Sequence, residues 1–251
     1  MNILGIDVGG SGIKGAMVDP ETGKFTSERI RIDSPEDFRP DDVVAVIGQI
    51  VSEFDYQGPL GLGFPAVVMD GVVITPPTSL AFPGWENYPL AERVTAVTNC
   101  PTVVINDADA AGYAEMRFGH GRNEPGVVLV FTLGTGIGSA LFVDGQLVPN
   151  TEMGRVYLRQ KKRVAEHQAA ERIRDELDLT WKEWGKRLNK YFNQIELLFW
   201  PRLIIIGGGV SKKHKNFLKH IRVRAEVRPA RLRNKAGIIG AAMAALEKEE
   251  G

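Results

Sequence analysis

Two glycine-rich segments of this sequence follow the same pattern and are suited to binding an anion. The first is IDVGGSGIKGAMVD, from Ile6 to Asp19, and the second is FTLGTGIGSALFVD, from Phe131 to Asp144. Each pattern predicts a strand, a glycine turn and a second strand. Glycine lets backbone N–H groups approach an anion closely, because no Cβ blocks the way. Two such turns in one chain indicate two halves that act on one phosphate chain, which points to phosphoryl transfer.

The two turns differ in charge, and a third glycine segment accompanies them. Asp7 ends the first predicted strand, where a carboxylate can hold hydrated Mg²⁺ against phosphate oxygens. The second turn offers amides and a threonine hydroxyl but no carboxylate, so we expect the metal near the first. Gly207-Gly208-Gly209 follows a buried strand and precedes a helix, a position that suits a phosphate or a planar base. The predicted phosphate-site residues are Asp7, Gly9, Gly10, Ser11, Gly12, Lys14, Thr132, Gly134, Thr135, Gly136, Gly208 and Gly209.

A structural interpretation stands beside each of these assignments. A glycine turn also forms a plain β-hairpin, and Asp7 then only caps the turn. Tight strand–helix packing explains the triple glycine nearly as well as a ligand does. The repetition of the first pattern favours phosphate over a plain hairpin.

Asp107 ends a predicted strand in VVINDADAAG and opens a helix. A carboxylate at the C-terminal edge of a strand faces the cleft of an open α/β sheet. There it can accept the proton of a sugar hydroxyl that attacks phosphorus. Asn106 can hold the same sugar through its amide. The alternative is that Asp107 serves only as a helix N-cap.

Two further carboxylates follow the second glycine turn. Glu152 in NTEMGR and Glu166 in VAEHQAA suit hydrogen bonding to the neighbouring hydroxyls of a sugar, although solvated salt bridges are the alternative. The basic clusters at 161–163 and 212–215 could track a polyanion, or form solvated faces.

Hydrophobic periodicity predicts the elements that must position these residues. Over 40–54, apolar residues recur at the i, i+3, i+4, i+7 spacing of one buried helix face. Thr180 and Glu183 form a T-x-x-E capping box. The predicted helices cover 40–54, 108–118, 162–177, 180–199, 212–220 and 236–246. The predicted strands and hairpins cover 2–8, 12–18, 60–64, 67–74, 102–105, 127–148 and 203–206.

Together these elements predict an α/β protein with an internal repeat and two lobes. The N-terminal lobe covers 1–106 and is joined by the C-terminal helix at 236–247. The C-terminal lobe covers 107–235. We expect a cleft between the lobes.

Composition limits the class of protein. The 251 residues include 31 basic and 31 acidic side chains, so the formal net charge is zero and nothing suggests nucleic acid or an acidic membrane as partner. The single cysteine, Cys100, excludes an intramolecular disulfide and a cysteine-rich zinc site. The sequence opens on a predicted strand rather than a secretory signal, and no apolar run approaches the roughly 18 residues of a membrane span. A cytoplasmic protein is expected.

Seven motifs together carry a resemblance to a known family. They are DVGGSGIK, GFPAVV, NDADAAG, LGTGIGSALFVDG, TEMG, IIIGGGVSKK and LRNKAGIIGAA, in that order between about residues 2 and 246. Each motif alone is weak, but the ordered set is specific. The sequence resembles the ROK sugar kinases, and within them the bacterial polyphosphate glucokinases.

The resemblance implies a fold, a reaction and its cofactors. It implies the two-lobed actin/hexokinase-like (ribonuclease H-like) fold and phosphoryl transfer to the 6-hydroxyl of glucose, with Asp107 as general base and magnesium as cofactor. Asn106, Glu152 and Glu166 would face the sugar. The donor would be polyphosphate or ATP, a choice that the sequence leaves open. The resemblance also implies a homodimer, and the absence of a zinc motif agrees with the polyphosphate branch.

Two departures from the family pattern fall on the sugar side. A histidine that contacts the sugar usually follows the Glu-x-Gly, and this chain has Arg155 there. In the loop after Thr75, the family usually has an asparagine, and this chain offers Thr78 or Ser79. Arginine is always charged and cannot accept a hydrogen bond. These changes leave open a different sugar or polyol acceptor, or a non-catalytic sugar or phosphate sensor.

Overall fold

The computed structural model divides into two compact units. Unit 1 comprises residues 1–114 and the residues from Lys235 onward, and unit 2 comprises Glu115–Asn234. The structure describes residues 1–77, 82–158 and 163–250. The units meet in sequence inside one helix, after Ala114; the two-lobe division with a boundary near Asn106 stays a prediction.

Mostly short strands and helices follow one another along the chain. Up to residue 118 they are β1 (Ile3–Gly9), β2 (Gly12–Val18), β3 (Ile30–Ile32), α1 (Pro40–Glu53), β4 (Leu60–Phe64), β5 (Val68–Met69), β6 (Val72–Val73), α2 (Leu90–Thr98), β7 (Thr102–Asn106) and α3 (Asp107–Phe118). From residue 127 they are β8 (Val127–Leu133), β9 (Ile137–Val143), β10 (Gln146–Val148), β11 (Tyr157–Leu158), β12 (Arg163–Val164), α4 (Glu166–Ala169), α5 (Glu171–Glu176), α6 (Trp181–Phe199), β13 (Leu203–Gly207), α7 (His214–Phe217), β14 (Glu226–Pro229) and α8 (Ala236–Glu250).

The sheet of unit 1 has the strand order β3-β2-β1-β4-β7. Strands β1 and β2 form a hairpin in which Gly9 pairs with Gly12, and β4 and β7 run parallel to β1. Side chains alternate between the two faces of a strand. In β1, Leu4 and Ile6 therefore enter a core with α1 and α2, whereas Gly5 and Asp7 face α8.

Glycine allows α8 to lie directly against this sheet. A Cβ on Gly5 would overlap the carbonyl group of Ile238, and a Cβ on Gly61 would overlap that of Ala241. Such contacts between helix and strand backbones exclude any side chain at either glycine. The C-terminal helix is therefore an integral part of unit 1.

The sheet of unit 2 repeats this arrangement in the order β10-β9-β8-β13-β14. Here β8 and β9 form the hairpin, and β13 and β14 run parallel to β8. Phe131 on one face packs against Tyr191 and Phe192 of α6, and Val128 and Val130 enter a smaller cluster on the other. The predicted α/β class is confirmed, and the sequence repeat corresponds to two sheets with the same strand order.

Several local predictions are confirmed in detail. The capping box that starts α6 is present, with the Thr180 hydroxyl accepting from the N–H of Glu183. The hairpin predicted around Asp70-Gly71 joins β5 and β6, and both turn residues have positive φ, 50° and 80°. Helix α1 covers Pro40–Glu53, one residue short of the prediction.

The continuous helix predicted over 162–177 is wrong. Strand β12, α4 and α5 take its place among the described residues, and Ala170 between the two helices is extended, with φ −58° and ψ 154°. The indole N–H of Trp184 donates to the carbonyls of Ala169 and Ala170 at 3.0 and 3.2 Å. The N–H of Arg172 donates to the carbonyl of Gly134. These tertiary hydrogen bonds hold the chain at the break between α4 and α5.

The helix predicted over 212–220 is also interrupted. A 3-10 turn over Gly209–Lys213, the four residues of α7 and a 3-10 turn over Leu218–His220 succeed one another. The sequence patterns predict none of α2, β3 and β14. Strands β3 and β14 lie at the edges of the two sheets, and α2 packs against α1. No helix in the described part of the chain combines the length and the hydrophobicity needed to cross a membrane.

Candidate active site

Strand register brings Asp7 and Asp107 to the same edge of the sheet in unit 1. Asp7 of β1 pairs with Gly63 of β4, and Gly63 pairs with Ile105 of β7. These strands are parallel, so their carboxyl ends meet at one edge, where ligands bind in open α/β sheets. Asn106 and Asp107 follow Ile105 directly. A Cβ on Gly63 would lie 3.8 Å from the Cα of Asp107.

Asp7 lies in a partly buried position beside a cation and the start of α8. The Nζ of Lys14 is 3.6 Å from its Oδ2, and its Oδ1 lies 3.0 Å from where a Cβ on Gly237 would be. Burial raises the pKa of Asp7, while the charges of Lys14 and Arg29 act in the opposite direction. The charges of Lys14 and Arg29 therefore do not fully offset the effect of burial on the pKa of Asp7.

This donor set fits one kind of metal ion. No cluster of three or more His, Cys, Asp or Glu side chains able to hold a metal occurs within residues 1–77, 82–158 and 163–250. Mg²⁺ commonly keeps several waters and binds one or two carboxylates together with substrate phosphates. Asp7 beside a glycine turn fits that mode and does not fit an ion held by protein ligands alone.

The first glycine turn is fixed by side chains that sequence reasoning missed. The hydroxyl of Ser34 donates to the carbonyl of Gly9 at 2.5 Å, and the guanidinium of Arg31 donates to the carbonyl of Ser11 at 2.8 Å. Both side chains follow or belong to β3, whose pairing with β2 has no signal in the sequence. The turn that would bind an anion is therefore held in part by side-chain contacts to two of its carbonyls.

The Asn106 side chain performs the capping that sequence analysis considered for Asp107. Its Oδ1 accepts from the N–H groups of Ala108 and Asp109 at 2.8 and 3.2 Å, and its Nδ2 donates to the carbonyl of Ala66 at 3.1 Å. Asp107 Oδ1 also accepts from the Ala108 N–H at 2.8 Å. Asn106 is buried in this role, whereas Asp107 is only half-buried.

The second glycine turn, in unit 2, is open on one side and closed by a carboxylate on the other. A Cβ on Gly134 would have no neighbour within 4 Å, whereas a Cβ on Gly136 would lie 3.1 Å from Oε2 of Glu166. The Nε of Arg172 donates to the carbonyl of Thr135 at 3.2 Å. Arg172 is a second arginine on a glycine turn that the sequence did not single out.

Glu152 and Glu166 belong to one electrostatic group in unit 2. Burial raises the pKa of Glu152, and the negative charge of Glu166 raises it further, while Arg155 lowers it. The Nε of Arg155 lies 3.2 Å from Oε2 of Glu152. The two carboxylates predicted to face a sugar are thus close enough to interact, and Arg155 is bound to one of them.

The triple glycine has a structural function at Gly208. This residue has φ 84°, and a Cβ there would overlap the backbone of Leu133. The carbonyl of Gly208 accepts from the hydroxyl of Ser211 at 2.8 Å. Close backbone packing therefore requires glycine at this position, and the phosphate role of Gly208 and Gly209 stays a prediction.

Four residues singled out from the sequence lie outside the described part of the chain. They are Thr78 and Ser79 of the loop on the sugar side, and Lys161 and Lys162 of the first basic cluster.

Comparison with known proteins identifies the family. The sequence pattern of the ROK family matches residues 3–165. The polyphosphate glucokinase of Mycobacterium tuberculosis is 42% identical, over 97% of this chain and 91% of that protein. This chain belongs to the ROK family. The resemblance deduced from the seven motifs is thereby confirmed.

Solved ROK structures have the same fold. The crystal structure of the inorganic polyphosphate/ATP-glucomannokinase from Arthrobacter sp. strain KM matches with a TM-score of 0.92 and 40% identity, covering 98% of this chain and 99% of that one. The ROK glucokinase from Streptomyces griseus matches with a TM-score of 0.83 at 24% identity, over 98% and 100% of the two chains. The predicted actin/hexokinase-like fold class is confirmed.

Proposed function

We propose that this protein is a sugar kinase that transfers a phosphoryl group from inorganic polyphosphate to the 6-hydroxyl of glucose. The observation that carries the proposal is the 42% identity to a polyphosphate glucokinase over nearly the whole chain. The convergence of Asp7, the first glycine turn and Asp107 at one sheet edge supports it. ATP is the second donor to test, since the similar Arthrobacter enzyme is named for both.

Asp107 is the proposed general base. A carboxylate accepts the hydroxyl proton as the sugar oxygen attacks the phosphorus atom. The N–H of Ala108 bonds its Oδ1, so the carboxylate is held in one orientation at the start of α3. Asn106 keeps that helix start in place through its caps.

The glycine turns and Lys14 are proposed to bind the phosphates of the donor. Backbone N–H groups of a glycine turn can approach phosphate oxygens where no side chain intervenes. The space beside Gly134 is open, although the N–H of Gly134 itself donates to the carbonyl of Gly136 at 3.1 Å. Asp7 would hold magnesium together with water and phosphate. The ion would supply neutralisation of the charge on the transferred group.

Glu152 and Glu166 are the proposed sugar ligands in unit 2. Carboxylates accept hydrogen bonds from hydroxyl groups in pairs, and these two are electrostatically coupled. The ion pair between Glu152 and Arg155 would have to break before both carboxylate oxygens of Glu152 can accept hydrogen bonds from a sugar.

A coupled assay with glucose, magnesium and either polyphosphate or ATP tests the reaction. We expect Asp107→Asn to lower kcat at least about a hundredfold, because an amide cannot accept the proton. Glucose binding measured by calorimetry should persist. Asp19→Asn, which alters an exposed carboxylate of the same unit, is the control. Wild-type kcat in Asp107→Asn would exclude the base role.

A different acceptor is the second candidate, and the ion pair between Arg155 and Glu152 favours it. A charged guanidinium beside the Glu152 carboxylate changes which arrangement of sugar hydroxyl groups can bind there. An acceptor screen that includes mannose, with Arg155→His as the comparison, separates the candidates. A gain of glucose turnover in Arg155→His supports the different acceptor, and unchanged turnover opposes it. Sugar binding without turnover of any acceptor would indicate a sensor.

A homodimer and a cytoplasmic location are further proposals that rest on the family resemblance. Sedimentation velocity over a range of protein concentrations tests the first, and cell fractionation tests the second.

A further inference from the structure

A row of charged side chains crosses the sheet of unit 1 next to the first glycine turn. Asp7 of β1 pairs with Lys14 of β2, and Lys14 pairs with Arg31 of β3. Residues directly opposite on antiparallel strands project from the same face. Asp7, Lys14 and Arg31 therefore form one row.

Arg31 extends from this row over the turn itself. Besides the hydrogen bond from its Nη2 to the carbonyl of Ser11, its Nη1 lies 2.7 Å from Oδ1 of Asp33. A Cβ on Gly12 would lie 2.8 Å from its Nε and 2.9 Å from its Nη2. The absence of a side chain at Gly12 thus makes room for the guanidinium, and two anchors hold it beside the turn.

Three cationic side chains lie near the first turn or its row, in a chain that is neutral as a whole. Lys14, Arg29 and Arg31 lie near Asp7 or its row, with Asp7 and Asp33 as their acidic neighbours. The side chain of Arg31 is 46% exposed. A guanidinium has five N–H donors in a planar fork, so donors beyond the two anchoring bonds can reach a phosphate in solvent.

We propose that Arg31 binds a phosphate group of the donor adjacent to the phosphates held by the first turn, and that it thereby favours inorganic polyphosphate over ATP. The inference rests on the proposed function. Both donors offer a chain of phosphates, so their chemistry is shared at the turn. Farther along, polyphosphate continues as an anion, whereas ATP ends in an uncharged nucleoside. A cation that meets the phosphate chain beyond the phosphates shared by both donors therefore distinguishes the two.

The test is the affinity of Arg31→Gln for each donor without sugar, measured by titration calorimetry. We expect the Kd for a polyphosphate longer than three phosphates to rise about tenfold, the typical effect of losing one charged hydrogen bond. The Kd for ATP should change little. The polyphosphate Kd should also depend less on salt than in the wild type, because one ionic contact is lost. Arg31→Lys, which keeps the charge without the fork, should lie between the two.

The matched control is Arg93→Gln. Arg93 is also exposed and pairs with an aspartate, its Nη2 lying 3.4 Å from Oδ1 of Asp41, but it belongs to α2 and lies outside the row. The Arg93→Gln variant should bind both donors as the wild type does. Thermal unfolding should show that every variant is folded. An unchanged polyphosphate Kd in Arg31→Gln overturns the inference, as does an equal loss for ATP. A wild-type protein that binds polyphosphate through Arg31 but phosphorylates no sugar would refute the proposed function alone.

Discussion

Asp7 combines a functional position with an energetic cost. Its pKa is raised by burial, so the folded protein binds this proton more tightly than the unfolded chain does. The stabilising contribution of the protonated group is fully present below the unfolded pKa near 3.8 and is lost as pH rises through the higher folded pKa. At neutral pH the ionised carboxylate of Asp7 therefore destabilises the folded protein. Binding of a cation such as the proposed magnesium ion would offset this cost.

Replacement of Asp7 separates these two roles. Asp7→Asn should abolish most phosphoryl transfer and yet raise the melting temperature at pH 7 in the absence of ligands, because the buried charge is gone. The gain over the wild type should shrink as the pH is lowered toward 4, where Asp7 becomes protonated. Scanning calorimetry at several pH values measures it. A variant less stable than the wild type at pH 7 would mean that the pair with Lys14 outweighs the cost of burial.

Tyr191 offers a second test at a single atom. Its ring is fully buried, and its hydroxyl has no hydrogen-bond partner among the described residues. A buried unpaired hydroxyl costs about 1 kcal/mol or more, so Tyr191→Phe should raise the melting temperature by about 2–4 °C.

Tyr56→Phe is the matched control for Tyr191→Phe. The hydroxyl of Tyr56 donates to the carbonyl of Pro59 at 2.8 Å, and its loss should lower stability by about 1 kcal/mol. If Tyr191→Phe melts below the wild type, the hydroxyl has a partner such as buried water.

At the scale of elements, two kinds of glycine have different consequences. Gly61 lies under α8, and Gly134 lies in the open second turn. Gly61→Ala should destabilise the protein by about 3 kcal/mol, because backbone atoms of Ala241 must move. Gly134→Ala should keep the wild-type melting temperature, because a Cβ there has no neighbour within 4 Å. It should raise the KM for the phosphoryl donor, since the new methyl group narrows the approach to the turn. Thermal unfolding and donor titrations distinguish the two; normal donor KM in Gly134→Ala would remove this turn from the phosphate site.

The sequence predicts helices and strands where the local pattern is strong. It does not predict those that form only through contacts with a distant part of the chain. Strands β1 and β13 are largely apolar and end at glycine, and β4 ends before Pro65, so the local pattern suffices. Strand β3 has three residues and exists because β2 lies beside it. The break at Ala170 depends on the Trp184 indole, fourteen residues farther along the chain.

The same distinction applies to the candidate site. Asp7 and Asp107 were recognisable because Asp7 lies near the carboxyl end of β1 and Asp107 follows β7, and parallel strands end together. Arg31 and Arg172 were not, since each meets its turn only through tertiary contacts. Sequence reasoning thus predicts groups that the strand ends position, and it misses groups that reach the site from neighbouring elements.

At the scale of the molecule, α8 completes a unit of which residues 1–114 precede it by more than a hundred positions. Ile238, Ile239, Ala242 and Met243 of this helix are buried. Deletion of residues 236–251 should abolish the cooperative unfolding of unit 1, because one face of its sheet loses its cover. Deletion of 249–251 spares these side chains and should melt as the wild type does. Calorimetry with near-ultraviolet circular dichroism checks both, and a native transition without α8 would contradict the role assigned to it.

The insertion of unit 2 between Ala114 and Lys235 has a consequence for biosynthesis. As the polypeptide leaves the ribosome, residues 115–234 emerge in full before α8 does, so unit 2 can finish folding first. The surface of β1 and β4 that packs against α8 therefore stays uncovered while residues 115–234 are translated. During this interval the nascent N-terminal segment exposes backbone and apolar surface that α8 alone fits, which makes it a natural client for molecular chaperones.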